Sequence, residues 1–269
     1  MPSLTNLLSD AADRLDGVWW LAAVPALLAF TNVGAFARTG RVDTHVGVSF
    51  PPPLPVTDAW SFLSLPTDGV RLGVAGAPAT AAAFTLGGAL LSGVLSAGYL
   101  GTVDRRWDRR TGEFLADVRA HAVPLAGFHL LVAVGAFAAF ALVEAVPALL
   151  LFVVPLLLLG AYLLYPAPYL VVTGDRGLVP ALRRAYALTV PGGAPLSYFA
   201  RYVLAGAVVS VPATLVFVNL GALGATLGVV ALAPVALLFD AATMGFLKEE
   251  AEPDGGAPTT YEPAIRPVG

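Results

Sequence analysis

From Tyr202 to Phe239 the chain runs for 38 residues without one Asp, Glu, Lys or Arg. As a single α-helix rising about 1.5 Å per residue it would measure roughly 57 Å, nearly twice the ~30 Å hydrocarbon thickness of a bilayer. Such a segment has to turn back, and Asn219-Leu220-Gly221 is the natural turn. Ala122 to Thr173 poses the same problem, interrupted only by His129 and Glu144; its turn falls between Glu144 and Pro147. Leu72 to Val103 is also uncharged and accommodates one crossing.

Composition closes the soluble alternative. Charged residues make up 12% of the chain and hydrophobic residues 57%, against about 25% charge in a typical soluble domain. With no cysteine, disulfides, thiolate metal sites and cysteine nucleophiles are excluded. The net charge of −3 argues against nucleic-acid binding through a basic surface. Asp10, Asp13 and Asp16 surround a single Arg14, unlike the positive start of a cleaved signal peptide, so the first span is expected to be retained.

The fold class expected is all-α: a polytopic integral membrane bundle of six transmembrane helices with short amphipathic interfacial helices. Residues 1–16 form an amphipathic N-terminal helix, with Ser3 as N-cap and Leu4, Leu7, Leu8, Ala11 and Leu15 on one face. Its apolar face suits either the membrane interface or its own bundle. The membrane domain covers 17–248, with spans at about 17–36, 78–101, 123–143, 148–172, 202–218 and 222–247. An outer loop, 37–76, carries the run Pro51-Pro52-Pro53-Leu54-Pro55, which favours extended polyproline geometry, and an apolar patch at Trp60, Phe62, Leu63 and Leu65 expected to touch the membrane surface. Charged segments at 104–121 and 174–201 are each expected to hold a short surface helix, over Glu113–Arg119 and around Leu178–Tyr186. Tyr162, Tyr165 and Tyr169 read as an interfacial belt. The tail, 249–269, is acidic and then rich in Pro, Gly and Thr, and is expected to be disordered.

Two rows of small residues mark the second span: Gly88, Ser92, Ser96, and Ala89, Gly93, Ala97, Gly101. At four-residue spacing they let helix backbones approach closely, and both read as packing faces. Tyr99-Leu100 closes this span and Tyr169-Leu170 closes the fourth, each followed by a charged helix and a new span; Val118-Arg119 and Leu182-Arg183 extend the echo, which suggests a duplicated hairpin.

Orientation follows from cation counts. Segment 104–121 carries five arginines and 174–201 four, against three in the longer outer loop and none in the two hairpin turns. Six spans place both arginine-rich segments and both termini on the cytoplasmic side of the cell membrane.

Two polar residues fall within spans: His129 in the third and Asp240 near the end of the sixth. An ionisable group inside a membrane is a functional candidate by default, although a hydrogen bond to a neighbouring helix explains His129 more simply, and Asp240 lies shallow enough to meet water or an arginine of 174–201. Arg105, Arg106, Arg109, Arg110, Arg183 and Arg184 are candidate contacts to lipid headgroups, the plainer reading being that they only set topology. His45, His121 and His129 are too scattered for one metal site. No catalytic residue, metal or cofactor is expected.

The order Tyr165-Pro166-Ala167-Pro168-Tyr169, the loop Gly174-Asp175-Arg176-Gly177, and then Ala181-Leu182-Arg183-Arg184-Ala185-Tyr186-Ala187-Leu188-Thr189 resemble six-span prokaryotic membrane proteins related to the membrane domain of glycerophosphodiester phosphodiesterases. Gly98-Tyr99-Leu100-Gly101 and Phe114–Arg119 resemble haloarchaeal members of that group. The similarity covers roughly 80–250 and implies a multi-pass, non-catalytic membrane domain. The leading functional expectation is therefore a non-enzymatic structural or accessory protein of the cell envelope, with membrane lipids, other membrane proteins or a second copy as partners. A small transporter or permease component using His129 and Asp240 is the alternative, and a lipid-modifying enzyme ranks third.

Overall fold

The computed structural model describes residues 3–39, 44–56, 59–66 and 78–251. Parts of the expected outer loop, including Arg41, Asp43, Asp58, Asp68 and Arg71, lie outside the described residues, as do positions 252–269 of the tail. Every regular element among the described residues is helical.

Helix α1 (Leu4–Arg14) starts where Ser3 Oγ accepts a hydrogen bond from the Asn6 backbone N–H at 3.1 Å, the standard way to satisfy an unpaired N-terminal donor. Leu7, Ala11 and Leu15 are buried while Asn6, Asp10 and Asp13 face outward. Of the two surfaces open to its apolar face, it takes the bundle, packing on the last helix of the chain.

The first expected span is not one helix. A 3₁₀ turn at Trp19–Ala22 leads into α2 (Ala23–Thr31), Asn32 leaves helical geometry, and α3 (Val33–Thr39) follows. Asn32 Oδ1 accepts from the Ala35 N–H at 3.1 Å. The asparagine thus ends one helix and caps the next, as its short polar side chain allows.

Helices α4 (Pro78–Trp107) and α5 (Phe114–Ala145) pack side by side. A Cβ on Gly93 would collide with the Ala126 backbone, and one on Gly101 with the Asp117 side chain. The glycines therefore set this close antiparallel approach. The expected surface helix at Glu113–Arg119 is not separate: it is the first two turns of α5, which continues straight into the span. Phe114 of that segment packs toward the Trp20 ring, with centroids 5.9 Å apart, while Leu115 is exposed. Helix α4 stops with Arg109 at φ 57° and the Arg110 N–H on the Arg105 carbonyl at 2.7 Å. This is a Schellman ending with arginine where glycine is usual.

After a 3₁₀ turn at Pro147–Leu149 come α6 (Leu150–Leu164) and α7 (Ala167–Thr173). The latter closes in the same manner, with Asp175 at φ 44° and the Arg176 N–H on the Val171 carbonyl at 3.0 Å. Helix α8 (Leu178–Thr189) buries Ala181, Ala185 and Thr189, whereas Tyr186 is exposed. The inward row is thus the small one, one residue off the Leu178-Leu182-Tyr186 row. Small side chains let α8 lie close against α6 and α7.

Helices α9 (Ala194–Phe217) and α10 (Gly221–Ala251) are joined by a 3₁₀ turn at Val218–Leu220 and by Gly221 at φ +65°. A left-handed φ costs glycine nothing and most residues about 1–2 kcal/mol. Tyr198 stacks on Phe246 at 4.2 Å and Tyr202 meets Phe239 edge-on at 5.0 Å. A Cβ on Gly228 would strike Phe217. The start of α9 thus faces the end of α10, so the two helices run antiparallel.

Four helical stretches are long and apolar enough to cross a membrane: Ala82–Trp107, Phe114–Ala145, Pro147–Thr173 and Ala194–Glu250. The last contains the antiparallel α9–α10 pair; Trp19–Thr31 is apolar but shorter. The outer surface matches: Leu151 is 80% exposed and Phe152 73%, an arrangement that suits lipid and not water. Helix α10 is the hub, touching α1, α2, α3, α4, α7 and α9.

The described part of the outer segment turns its apolar side chains inward. Trp60 and Phe62, in a 3₁₀ turn at Ala59–Phe62, are buried. The Trp60 indole N–H donates to the Ala29 carbonyl at 2.8 Å, and Phe62 lies against Phe239 at 5.4 Å. Pro51 fills the space left by Gly206 on α9. Ser49 and Ser64 donate their backbone N–H groups to Ser210 Oγ (2.8 Å) and Thr214 Oγ1 (2.9 Å). The segment is folded into one end of the bundle because its backbone donors find hydroxyls there, where lipid would leave them unsatisfied.

Candidate functional site

Asp240 projects from the C-terminal half of α10 and is completely buried. Tyr99 of α4 donates its hydroxyl to Oδ2 at 2.9 Å, and Tyr169 of α7 donates to Oδ1 at 3.1 Å. Both tyrosines are themselves fully buried. One turn along α10, Thr243 shares a 2.8 Å hydrogen bond with Tyr198, so this face of α10 joins α4, α7 and α9 through polar contacts in the interior. The expectation that Asp240 meets water or an arginine of 174–201 is corrected: both carboxyl oxygens are taken by phenols. Tyr165 and Tyr169, expected in an interfacial belt, are buried core residues. The reason is common to both. A carboxyl group deep in an apolar bundle requires donors, and a buried tyrosine requires a partner for its hydroxyl. Sequence reading overlooked Tyr99 and Tyr169 as partners; the available signal was their matched position at the closing ends of the second and fourth spans.

His129 is placed differently. Its Nε2 lies 3.0 Å from Ser96 Oγ, which ties α5 to α4. It also lines a cavity of about 590 Å³ bounded by α2, residues 52–56, α4 and α5. Asp240 is not on that wall, so the two intramembrane candidates do not share a chamber. The small-residue rows of α4 part company here. Gly93 and Gly101 pack on α5, whereas Gly88 and Ser92 face the cavity, and a Cβ on Gly88 would meet nothing within 4 Å.

Two of the six arginines named as lipid contacts, Arg105 and Arg110, are engaged with acids at one end of the bundle. Arg105 binds Asp117 through Nε at 2.8 Å and Nη2 at 2.7 Å. Arg110 meets Asp108 at 2.6 Å and Asp104 at 3.6 Å. Lys248 joins the same two carboxylates, Asp104 at 2.8 Å and Asp108 at 2.5 Å. Burial alone would raise the Asp108 carboxyl, but hydrogen bonds and charge from Lys248 and Arg110 outweigh it and hold the group below the usual carboxylate value. Arg106 and Arg109 border a crevice with Arg14 and with Asp10, Asp13 and Asp16. Arg14 also donates to the Trp107 carbonyl and stacks over the Trp107 ring at 4.5 Å. Arg183 is exposed and Arg184 half-buried on α8, neither in an ion pair among the described residues.

The three histidines stay apart. His45 reaches Ser64 at 3.3 Å, and His121 lies 3.8 Å from Asp175. Among the described residues no group of three or more His, Cys, Asp or Glu side chains could hold a metal ion. Comparison of the chain with protein-family models, curated proteins and solved structures finds no match.

Proposed function

We propose that the chain is a six-crossing protein of the cell membrane with a non-enzymatic, structural or accessory role, both termini on the cytoplasmic side. The single observation carrying this reading is the closure of Asp240 by Tyr99 and Tyr169. The most polar group inside the bundle is spent on holding three helices together. Relatedness to the membrane domain of glycerophosphodiester phosphodiesterases is part of the same proposal and implies no chemistry of its own.

Support for six crossings comes from which groups meet. Arg14, Trp107, Asp108 and Lys248 gather at one end of the bundle, so the N-terminal helix and the end of α10 lie together. That requires an even number of crossings between them. The α4, α5, α6–α7, α9 and α10 segments supply five, and the interrupted Trp19–Thr39 segment supplies the sixth. The arginine-rich ends fall on the same side, as the cation rule requires of a cytoplasmic face.

The transporter reading keeps one favourable observation, the cavity beside His129, and loses the other, because Asp240 lies outside it. Proteoliposomes containing the wild type, His129→Ala or Asp240→Asn are expected to leak protons and small solutes no faster than protein-free vesicles. A flux present in the wild type and abolished in both variants would reverse the order of the two readings. Orientation is testable because the chain has no native cysteine: a thiol at Val46 should react with an impermeant reagent from outside, and one at Arg183 only after permeabilisation.

A further inference from the structure

We infer that the cavity beside His129 is a binding site for a flat, uncharged, membrane-soluble carbonyl compound of the quinone class. The inference rests on the bilayer placement proposed above, since that placement lets such a molecule enter from the hydrocarbon.

The cavity's volume, about 590 Å³, falls within the range of about 300–1,000 Å³ typical of small-molecule sites. Its chemistry is selective. Among the described residues no Asp, Glu, Lys or Arg lines it, so these residues offer a charged ligand no counter-charge in a low-dielectric region, at a cost of several kcal/mol. Hydrogen-bonding groups are nevertheless present: Asn32, Ser61, Ser92 and the His129 imidazole. Phe84 and Phe128 supply aromatic wall, and aromatic faces pack well against flat rings. Ser96 holds the His129 ring through Nε2, so the imidazole is oriented before any ligand arrives.

Depth argues further. His129 lies about 9 Å inside the span expected at 123–143, at about 1.5 Å per residue, and so within the proposed hydrocarbon layer. Ester groups of bilayer lipids sit in the interfacial region, outside the ~30 Å hydrocarbon core. A hydrogen-bonding carbonyl at this depth therefore suits a compound that dissolves in the core itself. The site also has a sequence origin. Gly88 and Ser92 lie at helix-packing spacing, yet among the described residues nothing covers Gly88, whose missing side chain opens onto free space.

The adjacent glycine supplies a control. A Cβ on Gly87 also meets nothing within 4 Å, but Gly87 does not line the cavity. Gly88→Trp should fill the cavity, and Gly87→Trp should not. The experiment uses the full chain in phosphatidylcholine nanodiscs, a photoreactive azidoquinone as probe, decylubiquinone as competitor, and peptide mapping of the cross-links. Wild type and Gly87→Trp are expected to cross-link within residues 84–92 and 128–132, with decylubiquinone competing. Gly88→Trp should lose this labelling by roughly tenfold or more, about 1.4 kcal/mol, while keeping the wild-type melting temperature. Should Gly88→Trp fail to fold, Ser92→Leu makes the same test with a smaller side chain. His129→Gln, which keeps a hydrogen-bonding group, should weaken labelling less than His129→Leu. Equal labelling of wild type and both cavity-filling variants overturns the proposal. So does labelling of these peptides by a photoreactive phosphatidylcholine that decylubiquinone fails to displace, which would make the occupant bilayer lipid. Either result leaves the bilayer placement standing. That placement fails separately, if mid-helix thiols prove freely reactive in water.

Discussion

Tyr99 and Tyr169 occupy matching positions, each closing a span beside a leucine, and they take the two oxygens of one carboxyl group, Asp240, at 2.9 and 3.1 Å. The echo between Tyr99-Leu100 and Tyr169-Leu170, weak as a sequence pattern, thus has a spatial counterpart: two segments converge on a residue that belongs to neither. The contact joins α4, α7 and α10 at a depth where water cannot substitute for a lost donor.

Removing either donor should therefore be costly. Tyr99→Phe and Tyr169→Phe are each expected to destabilise the protein by about 1–3 kcal/mol, the range for leaving a buried polar group short of a partner. The double variant with Asp240→Leu should lose less than the sum of the singles, because the groups act as one unit. Thermal unfolding in detergent measures this; strictly additive losses would mean that the three side chains are energetically independent.

The cluster of Asp108, Arg110 and Lys248 should show its contribution through pH. Its folded-state carboxyl lies below the ordinary value of 3.8, so the ionised form is favoured by folding. The resulting stability is present above that value and lost as pH falls through the lowered one. Because Asp108 is 39% exposed, screening limits the effect to below about 1 kcal/mol. Asp108→Asn should melt slightly earlier than wild type at pH 6, and the gap should narrow as pH falls below 3.8. A gap that widens on acidification would contradict the assignment.

Glycines on different faces of the bundle should respond in opposite directions. A side chain at Gly245 would enter the Trp107 ring, over which Arg14 stacks, and Gly93 abuts the Ala126 backbone. Gly245→Ala and Gly93→Ala are expected to cost about 1–3 kcal/mol through overpacking. Gly135 has open space, and Gly135→Ala should gain up to about 1 kcal/mol from helix propensity. Melting temperatures of the three variants decide the matter.

Loss of the hydroxyls that bind the outer segment should free it. In the double variant Ser210→Ala, Thr214→Val, the N–H groups of Ser49 and Ser64 lose their partners. Residues 44–66 should then be cut by an added protease at least several-fold faster, while the helices stay intact, since local opening follows local stability. Unchanged cleavage would assign the hold to the remaining contacts, among them Pro51, Trp60, Phe62 and the His45–Asn219 pair.

What the sequence determined by itself is the class of molecule. Uncharged runs such as Tyr202–Phe239 are too long for one crossing and too apolar for water, and that follows from helix rise and hydrocarbon thickness alone. The turn at Gly221, the cap at Ser3 and the chain reversal before Pro147 were legible for the same reason: each depends on local backbone geometry. Tertiary structure decided everything that depends on which face of a helix meets which neighbour. Periodicity marked Gly88–Ser92 and Gly93–Gly101 as equivalent rows, yet one packs on α5 and the other opens on a cavity. Asp240 read as open to water because only its place along the chain was legible, but the bundle closes around it with two phenols from distant segments. Trp60 and Phe62 read as a surface patch because an apolar run in a loop looks the same whether it lies on lipid or folds inward. Contact partners are set by the packing of helices dozens of residues apart, and no local pattern encodes that choice.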